Sequence, residues 1–142
     1  MRSGCVYCGI DHGTKRIGLA IADPGGTIAS PLAAIDARGS AEQVIRRLTD
    51  AVADFDVAEW VVGLPLNMDD TEGPQAQLVR RFGEHLARVT NKPVHYWDER
   101  LSSDTADGLL SRSDLTRGKK KARHDAVAAQ VMLQSFLERR RD

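Results

Sequence analysis

Val6-Tyr7-Cys8-Gly9-Ile10-Asp11-His12-Gly13-Thr14-Lys15-Arg16-Ile17-Gly18-Leu19-Ala20-Ile21-Ala22 reads as two strands joined by a tight turn. Val6, Cys8 and Ile10 alternate toward one face. Ile17, Leu19 and Ile21 do the same, leaving the small Gly18, Ala20 and Ala22 on the other face. His12-Gly13-Thr14-Lys15 between them is short and contains glycine, which predicts an antiparallel pair. Asp23-Pro24-Gly25-Gly26 is a strong turn, and Thr27 to Ile35 offers a third, weaker strand interrupted by Pro31.

From Ser40 the hydrophobic period becomes helical. Ser40 and Gln43 form a capping box, and Val44, Ile45, Leu48, Val52 and Phe55 fall on one stripe. Trp60-Val61-Val62-Gly63-Leu64, ended by Pro65, is a continuous apolar run suited to a fully buried strand. Pro74 opens a second helix whose stripe is Leu78, Phe82, Leu86 and Val89. Pro93 to Trp97 is a fifth strand, followed by a helix from about Ser102 or Ser103 through Leu110. The stretch Ser111 to Arg123 reads as a polar, basic loop, and Ala126 to Leu137 as a buried last helix. Three antiparallel strands followed by two crossover strands predict an α/β fold, a five-stranded mixed sheet with helices on both faces.

The 142 residues suit a single domain, 1–142, with its core at about 5–137 and no need for disulfide or metal staples. Lys and Arg together number 20, as do Asp and Glu, so a uniformly basic arm-like binder is excluded while a local basic patch is not. No apolar run approaches the ~18 residues of a transmembrane span, and the N-terminus does not read as a signal peptide. A cytoplasmic protein with no membrane partner is expected. Cys5 and Cys8 form a C-x-x-C, but inside a strand-like run their thiols diverge and no second pair completes a zinc site. Ordinary buried cysteines are expected.

The chemistry points to acids at the ends of buried elements. Asp11 follows Ile10, Glu99 follows Trp97-Asp98, and Asp125 opens the last helix. Sites in sheets with crossovers gather at the carboxyl ends of strands. Three converging carboxylates suit a hard divalent cation, Mg2+ or Mn2+, and through it phosphodiester cleavage. Each acid has a plainer reading: Asp125 as a helix cap, Glu99 as an ion-pair partner of Arg100. Asp98 is assigned to hydrogen bonding or capping. Thr14, Lys15 and Arg16 at the first turn, Arg100, and Lys119, Lys120, Lys121 and Arg123 are the candidate phosphate contacts. Between Arg112 and Arg123 six basic residues face only Asp114, a charge run that alone would read as a solvated loop. His12 and His124 read as solvated loop histidines. P-loop, dinucleotide and nucleophile-elbow motifs are absent from the sequence.

Gly9 to Ala20, Val61-Val62-Gly63-Leu64-Pro65, Glu72-Gly73-Pro74-Gln75-Ala76, Asp98-Glu99-Arg100-Leu101-Ser102-Ser103 and Asp125-Ala126-Val127-Ala128-Ala129 resemble, in order, the motifs of the YqgF family. These are bacterial pre-16S rRNA nucleases, also described as Holliday-junction-resolvase-like. The resemblance runs from about Gly9 to Leu137. It implies an RNase H-like fold, and it places the family's catalytic, metal-holding acids on Asp11, Glu99 and Asp125. It also implies a cytoplasmic enzyme that matures the 5′ end of 16S rRNA, with structured RNA on the pre-ribosomal particle as partner. The family often has Gly at the position of Asp70 and Thr-Thr at Ser102-Ser103. Related resolvases bring a fourth carboxylate, for which Asp104 is a distant candidate.

The alternatives are a resolvase cutting branched DNA, whose two symmetric cuts favour a homodimer over a monomer, and a non-catalytic RNA-binding assembly factor. Asp11-x-Gly13-Thr14 also resembles the first phosphate loop of actin-like ATPases, but those need two such domains around a cleft.

Overall fold

The computed structural model describes residues 5–101 and 117–141, the backbone alone at 101, 117–123 and 141. Five strands, β1 (Cys5–His12), β2 (Arg16–Ala22), β3 (Ala29–Asp36), β4 (Asp56–Leu64) and β5 (Val94–Asp98), form one sheet. Helices α1 (Ala41–Ala51), α2 (Pro74–Thr90) and α3 (Arg117–Arg141) cover it, and a 3-10 turn, Glu99–Leu101, follows β5. The spatial order is β3-β2-β1-β4-β5. The first three strands pair antiparallel, while β4 lies parallel to β1 and β5 parallel to β4. The expected α/β mixed sheet is the observed one.

The strand alternation sorts the two faces. Val6, Cys8, Ile10, Ile17, Leu19 and Ile21 pack with Val44, Ile45 and Leu48 of α1 and Val79, Phe82 and Leu86 of α2. On the other face Ala20, Ala22 and Val61 meet Ala129, Met132, Leu133, Phe136 and Leu137 of α3. The small residues of β2 let α3 lie close: a Cβ at Gly18 would fall 1.9 Å from the Asp125 carbonyl oxygen. α3 is also tied lengthwise to the sheet edge. Gln134 accepts from the Ala29 amide at 2.8 Å and donates to the Thr27 carbonyl at 2.9 Å, and Gln130 donates to the Ala29 carbonyl at 3.1 Å. Gly18→Ala should therefore destabilise the protein by about 3 kcal/mol, an overpacking cost that the helix backbone cannot relieve by a rotamer change. A thermal melt within a degree or two of wild type would contradict this packing.

Several boundaries differ from the expectations. The Ser40–Gln43 capping box is present, but α1 stops at Ala51 and Phe55 is not on its stripe. The chain turns early, through Ala53 to Asp50 and Phe55 to Val52 hydrogen bonds, because β4 must begin at Asp56 opposite Cys5. Phe55 is left partly exposed. Pro74 does open α2, yet its buried stripe is Ala76, Val79, Phe82, Gly83 and Leu86, with Leu78 and Val89 exposed. At about 100° per residue Leu78 and Val89 fall within about 20° of each other on one flank of the helix, away from the line through Val79, Gly83 and Leu86 that meets the sheet.

The third strand runs Ala29–Asp36 rather than from Thr27, and β4 starts four residues before Trp60. The largest difference is α3, which begins at Arg117, so residues 117–123 are helical where a loop was expected. Lys, Arg and Ala are good helix formers, and that propensity outweighs the charge run. The expected helix at 102–110, the loop at 111–116, Ser102-Ser103 and Asp104 lie outside the described residues. Cys8 is fully buried, where burial pushes its thiol pKa up, and the Cys5 thiol donates to Asp56, so neither behaves as a redox pair.

Candidate active site

The sheet topology brings the ends of β1 and β5 to the same edge of the molecule on either side of β4. Along β1, Val6, Cys8 and Ile10 face α1 and α2 while Gly9 packs against Leu133 and Ala129, so Asp11 is on the α3 side. Glu99 comes over the end of β4, where Gly63 makes room for it: a Cβ there would sit 2.7 Å from Glu99 Oε1. A glycine inside a buried strand marks this kind of close approach.

Asp11 and Glu99 meet directly through a side-chain hydrogen bond. Burial first, then that hydrogen bond and the Asp11 charge, push the Glu99 pKa up to about 9. At neutral pH Glu99 is thus protonated and donates to the Asp11 carboxylate. Two carboxyl groups forced to share one proton are the electrostatic counterpart of a cation site, because a divalent ion supplies the same neutralisation with more charge.

Asp125 joins this edge in backbone and differs in its side chain. It lies in the third turn of α3, not at the helix start, which removes the capping reading. Its backbone rests on Gly18, the residue paired with Asp11 across the β1–β2 ladder. Its carboxylate accepts from Arg16 Nε at 2.5 Å, a contact linking residues 109 apart. Among the described residues no three His, Cys, Asp or Glu side chains are gathered closely enough to hold a metal ion. The structure thus brings Asp11 and Glu99 together and pairs Asp125 with Arg16.

The cationic candidates divide. Thr14 and Lys15 are exposed on the turn closed by the Gly13 amide and the Arg16 carbonyl. Arg100 is drawn into a knot: it donates to Asp98 Oδ2 and Asp70 Oδ1 at 2.7 Å each and to the Asn67 carbonyl at 2.9 Å. It ties the end of β5 to the β4–α2 loop and would have to leave these partners to reach a phosphate. Asp98 is the hydrogen-bonding residue it was expected to be, held below its ordinary pKa by the Arg100 side chain. Asp70 has φ of 70°, the left-handed region that favours glycine, the residue the family resemblance leads one to expect there. Lys119, Lys120, Lys121 and Arg123 fall on the first turns of α3, shortly before Asp125 in sequence.

Sequence reasoning missed the Arg16–Asp125 pair, for which nothing local gives a signal, and the role of Gly63, for which a glycine in an apolar run was the signal. It also misplaced His12. That residue ends β1 on the α1–α2 side, and its ring packs on Phe82 with centroids 4.7 Å apart.

A five-stranded mixed sheet with helices on both faces, and a carboxyl pair that meets across the end of β4, make this an RNase H-like α/β protein. The chain matches the RuvX family, described as Holliday junction resolvase, over residues 5–139, and it belongs to that family. It is 42% identical over 132 residues to a protein of Symbiobacterium thermophilum, covering 93% of this chain and 91% of the relative. It is 43% identical over 131 residues to one of Moorella thermoacetica, covering 92% and 93%. Both carry the name "Putative pre-16S rRNA nuclease". Among solved structures, RuvC of Thermus thermophilus in complex with a Holliday junction substrate aligns over 96% of both chains, with a TM-score of 0.57 and 16% identity. The yeast mitochondrial Holliday junction resolvase aligns over 99% of this chain and 83% of its own, with a TM-score of 0.51 and 10% identity. At those identities the likeness speaks for the fold.

Proposed function

We propose that this chain is a divalent-cation-dependent nuclease that cleaves phosphodiester bonds in structured RNA and trims the 5′ end of pre-16S rRNA during ribosome biogenesis. The observation that carries the reading is the half-buried Glu99 sharing a proton with Asp11 across the end of β4. The names of the relatives supply the substrate.

Asp11 and Glu99 would hold the cation, Mg2+ or Mn2+, with oxygen ligands of the hard type such ions take. Asp125 would complete the set once Arg16 turns from it to the substrate. Bound there, a divalent ion lowers the pKa of an attacking water and neutralises charge on the phosphodiester. The chain's own part is to hold the carboxylates rigid. Asp11 is fixed within the β1–β2 ladder and Glu99 against Gly63, and a misplacement of about 1 Å can cost about 100-fold in rate. Thr14, Lys15, Arg16 and the basic start of α3 would hold phosphates without reading sequence. The residues 5–139 matched by the family would act as one domain, in the cytoplasm; among the described residues no helix is long and apolar enough to cross a membrane.

The family description favours a second reading, cleavage of branched DNA, whose two symmetric cuts would ask for a homodimer. Purified protein is incubated with a pre-16S leader transcript and with a four-way DNA junction, each with and without Mn2+, and its mass is measured by sedimentation. Mn2+-dependent cutting of the transcript with an intact junction is expected. Paired symmetric cuts in the junction alone would transfer the reading to a resolvase. Tight RNA binding without cutting under any metal would leave an assembly factor.

A further inference from the structure

On the face of the sheet away from α3, a cavity of about 670 Å³ opens between the start of α1 and the body of α2, roofed by the β1–β2 turn. Sites for small organic groups run from about 300 to 1,000 Å³. No motif discussed above accounts for it.

Its floor is aromatic and aliphatic: Phe82, against which the His12 ring leans, and Val44. Leu78 faces it and is 43% exposed, an apolar side chain on a helix whose other apolar residues are mostly buried. His12 and His85 both line it, and one ring nitrogen of each, His12 Nδ1 and His85 Nε2, is turned away from water with no hydrogen-bond partner among the described residues. An orphaned polar atom of this kind is costly, and a ligand toward whose edge the ring turns would remove the cost.

The His85 tautomer follows from its neighbour. Arg88 NH2 lies 3.1 Å from His85 Nδ1, and a guanidinium can only donate, so Nδ1 accepts and Nε2 carries the proton. Nε2 is therefore an unused donor. The rim holds Arg81 and Arg88 with Glu84 between them. The arginines disfavour a cation, while Glu84 and the apolar floor disfavour a bare phosphate. A planar group with an apolar face and a polar edge suits all of these walls, and that describes a nucleobase.

Position strengthens the chemistry. Asp11 and His12 are consecutive on β1 and point to opposite faces. The carboxylate pair and the cavity are thus separated by the thickness of one strand end, and the turn bearing Thr14 and Lys15 joins them.

We propose that this cavity receives one unpaired base of the substrate, beside the phosphate held at Asp11 and Glu99, so that cleavage selects sites flanked by single-stranded nucleotides. The proposal rests on the nuclease reading for its register, while occupancy of the cavity is measured without cleavage. Proteins that recognise unpaired RNA bases stack them on aromatic or arginine planes and read their edges in the same way.

The experiment uses the Asp11→Asn protein and RNA hairpins carrying 2-aminopurine at successive positions of a single-stranded flank. One position should change its emission severalfold on binding while its neighbours do not. His85→Leu on the same background should abolish that change and weaken binding about 5- to 100-fold, the range for losing one stacked base. If His85→Leu melts early, Arg88→Ala, on the exposed rim, should give the same loss. Absence of any responding position, or a response untouched by both substitutions, overturns the proposal. If wild-type protein with Mn2+ leaves these hairpins uncut while the base response persists, the nuclease reading fails and the cavity's occupant stands.

Discussion

Asp11→Asn should lower the Mn2+-supported rate of RNA cleavage by about a thousand-fold or more, the several kcal/mol that a bound divalent ion contributes to a phosphoryl-transfer transition state. The substitution keeps the shape of the side chain and its place in the β1–β2 ladder opposite Gly18. It removes the charge that neither Glu99, protonated at neutral pH, nor Asp125, paired with Arg16, supplies in its place. RNA affinity should stay level or rise slightly, because the phosphate contacts proposed are Thr14, Lys15, Arg16 and the α3 basic turns. Deleting an anion near them reduces repulsion of the backbone. Single-turnover cleavage and filter binding on the same protein preparation separate the two quantities. Cleavage within about tenfold of wild type would remove Asp11 from the site, and loss of binding in parallel would recast it as a structural residue.

The parts of the fold legible from the sequence are those whose signal is local. The alternation of Ile17, Leu19 and Ile21 with Gly18, Ala20 and Ala22 not only marks a strand but distinguishes its two faces, and the small face is the one that meets α3. The Ser40 cap and Pro74 mark helix starts because capping is chemistry within a turn. What was illegible depends on partners distant in the chain. Phe55 has helical spacing yet lies off α1, because the register of β4 on β1 dictates where the helix must end. The start of α3 reads as a loop by charge and as a helix by propensity, and local patterning cannot rank the two. The same division runs through the site. Asp11 and Glu99 are marked by their places after buried strands, whereas the attachment of Asp125 to Arg16 spans 109 positions. The cavity beside His85 is created by the packing of two helices, and no segment of sequence contains it.

Glu99→Gln should make the metal-free protein more stable and the enzyme inactive, a combination that few substitutions in a folded core produce. An ordinary glutamate titrates near 4.5, whereas in the folded protein Glu99 holds its proton to about 9. Between those values the folded state binds a proton that the unfolded state has released. Stability therefore declines as pH rises from about 4.5 and levels off above about 9. At about pH 8 most of that cost has accrued, on the order of 3 kcal/mol for a partly buried, coupled pair. The amide of the substituted side chain would donate to Asp11 at every pH and occupy the same space over Gly63, so the decline should flatten. The melting temperature at about pH 8 should rise by about 10 °C relative to wild type without metal. Mn2+ should act differently on the two proteins. It raises the wild-type melting temperature, increasingly so toward alkaline pH as it displaces the shared proton, and leaves the variant nearly unmoved. Calorimetric melts of both proteins from about pH 5 to about pH 9, with and without Mn2+, test all of this at once. A wild-type curve flat across that range, or a variant that melts below wild type at its alkaline end, would show that Glu99 is held by something other than a proton shared with Asp11.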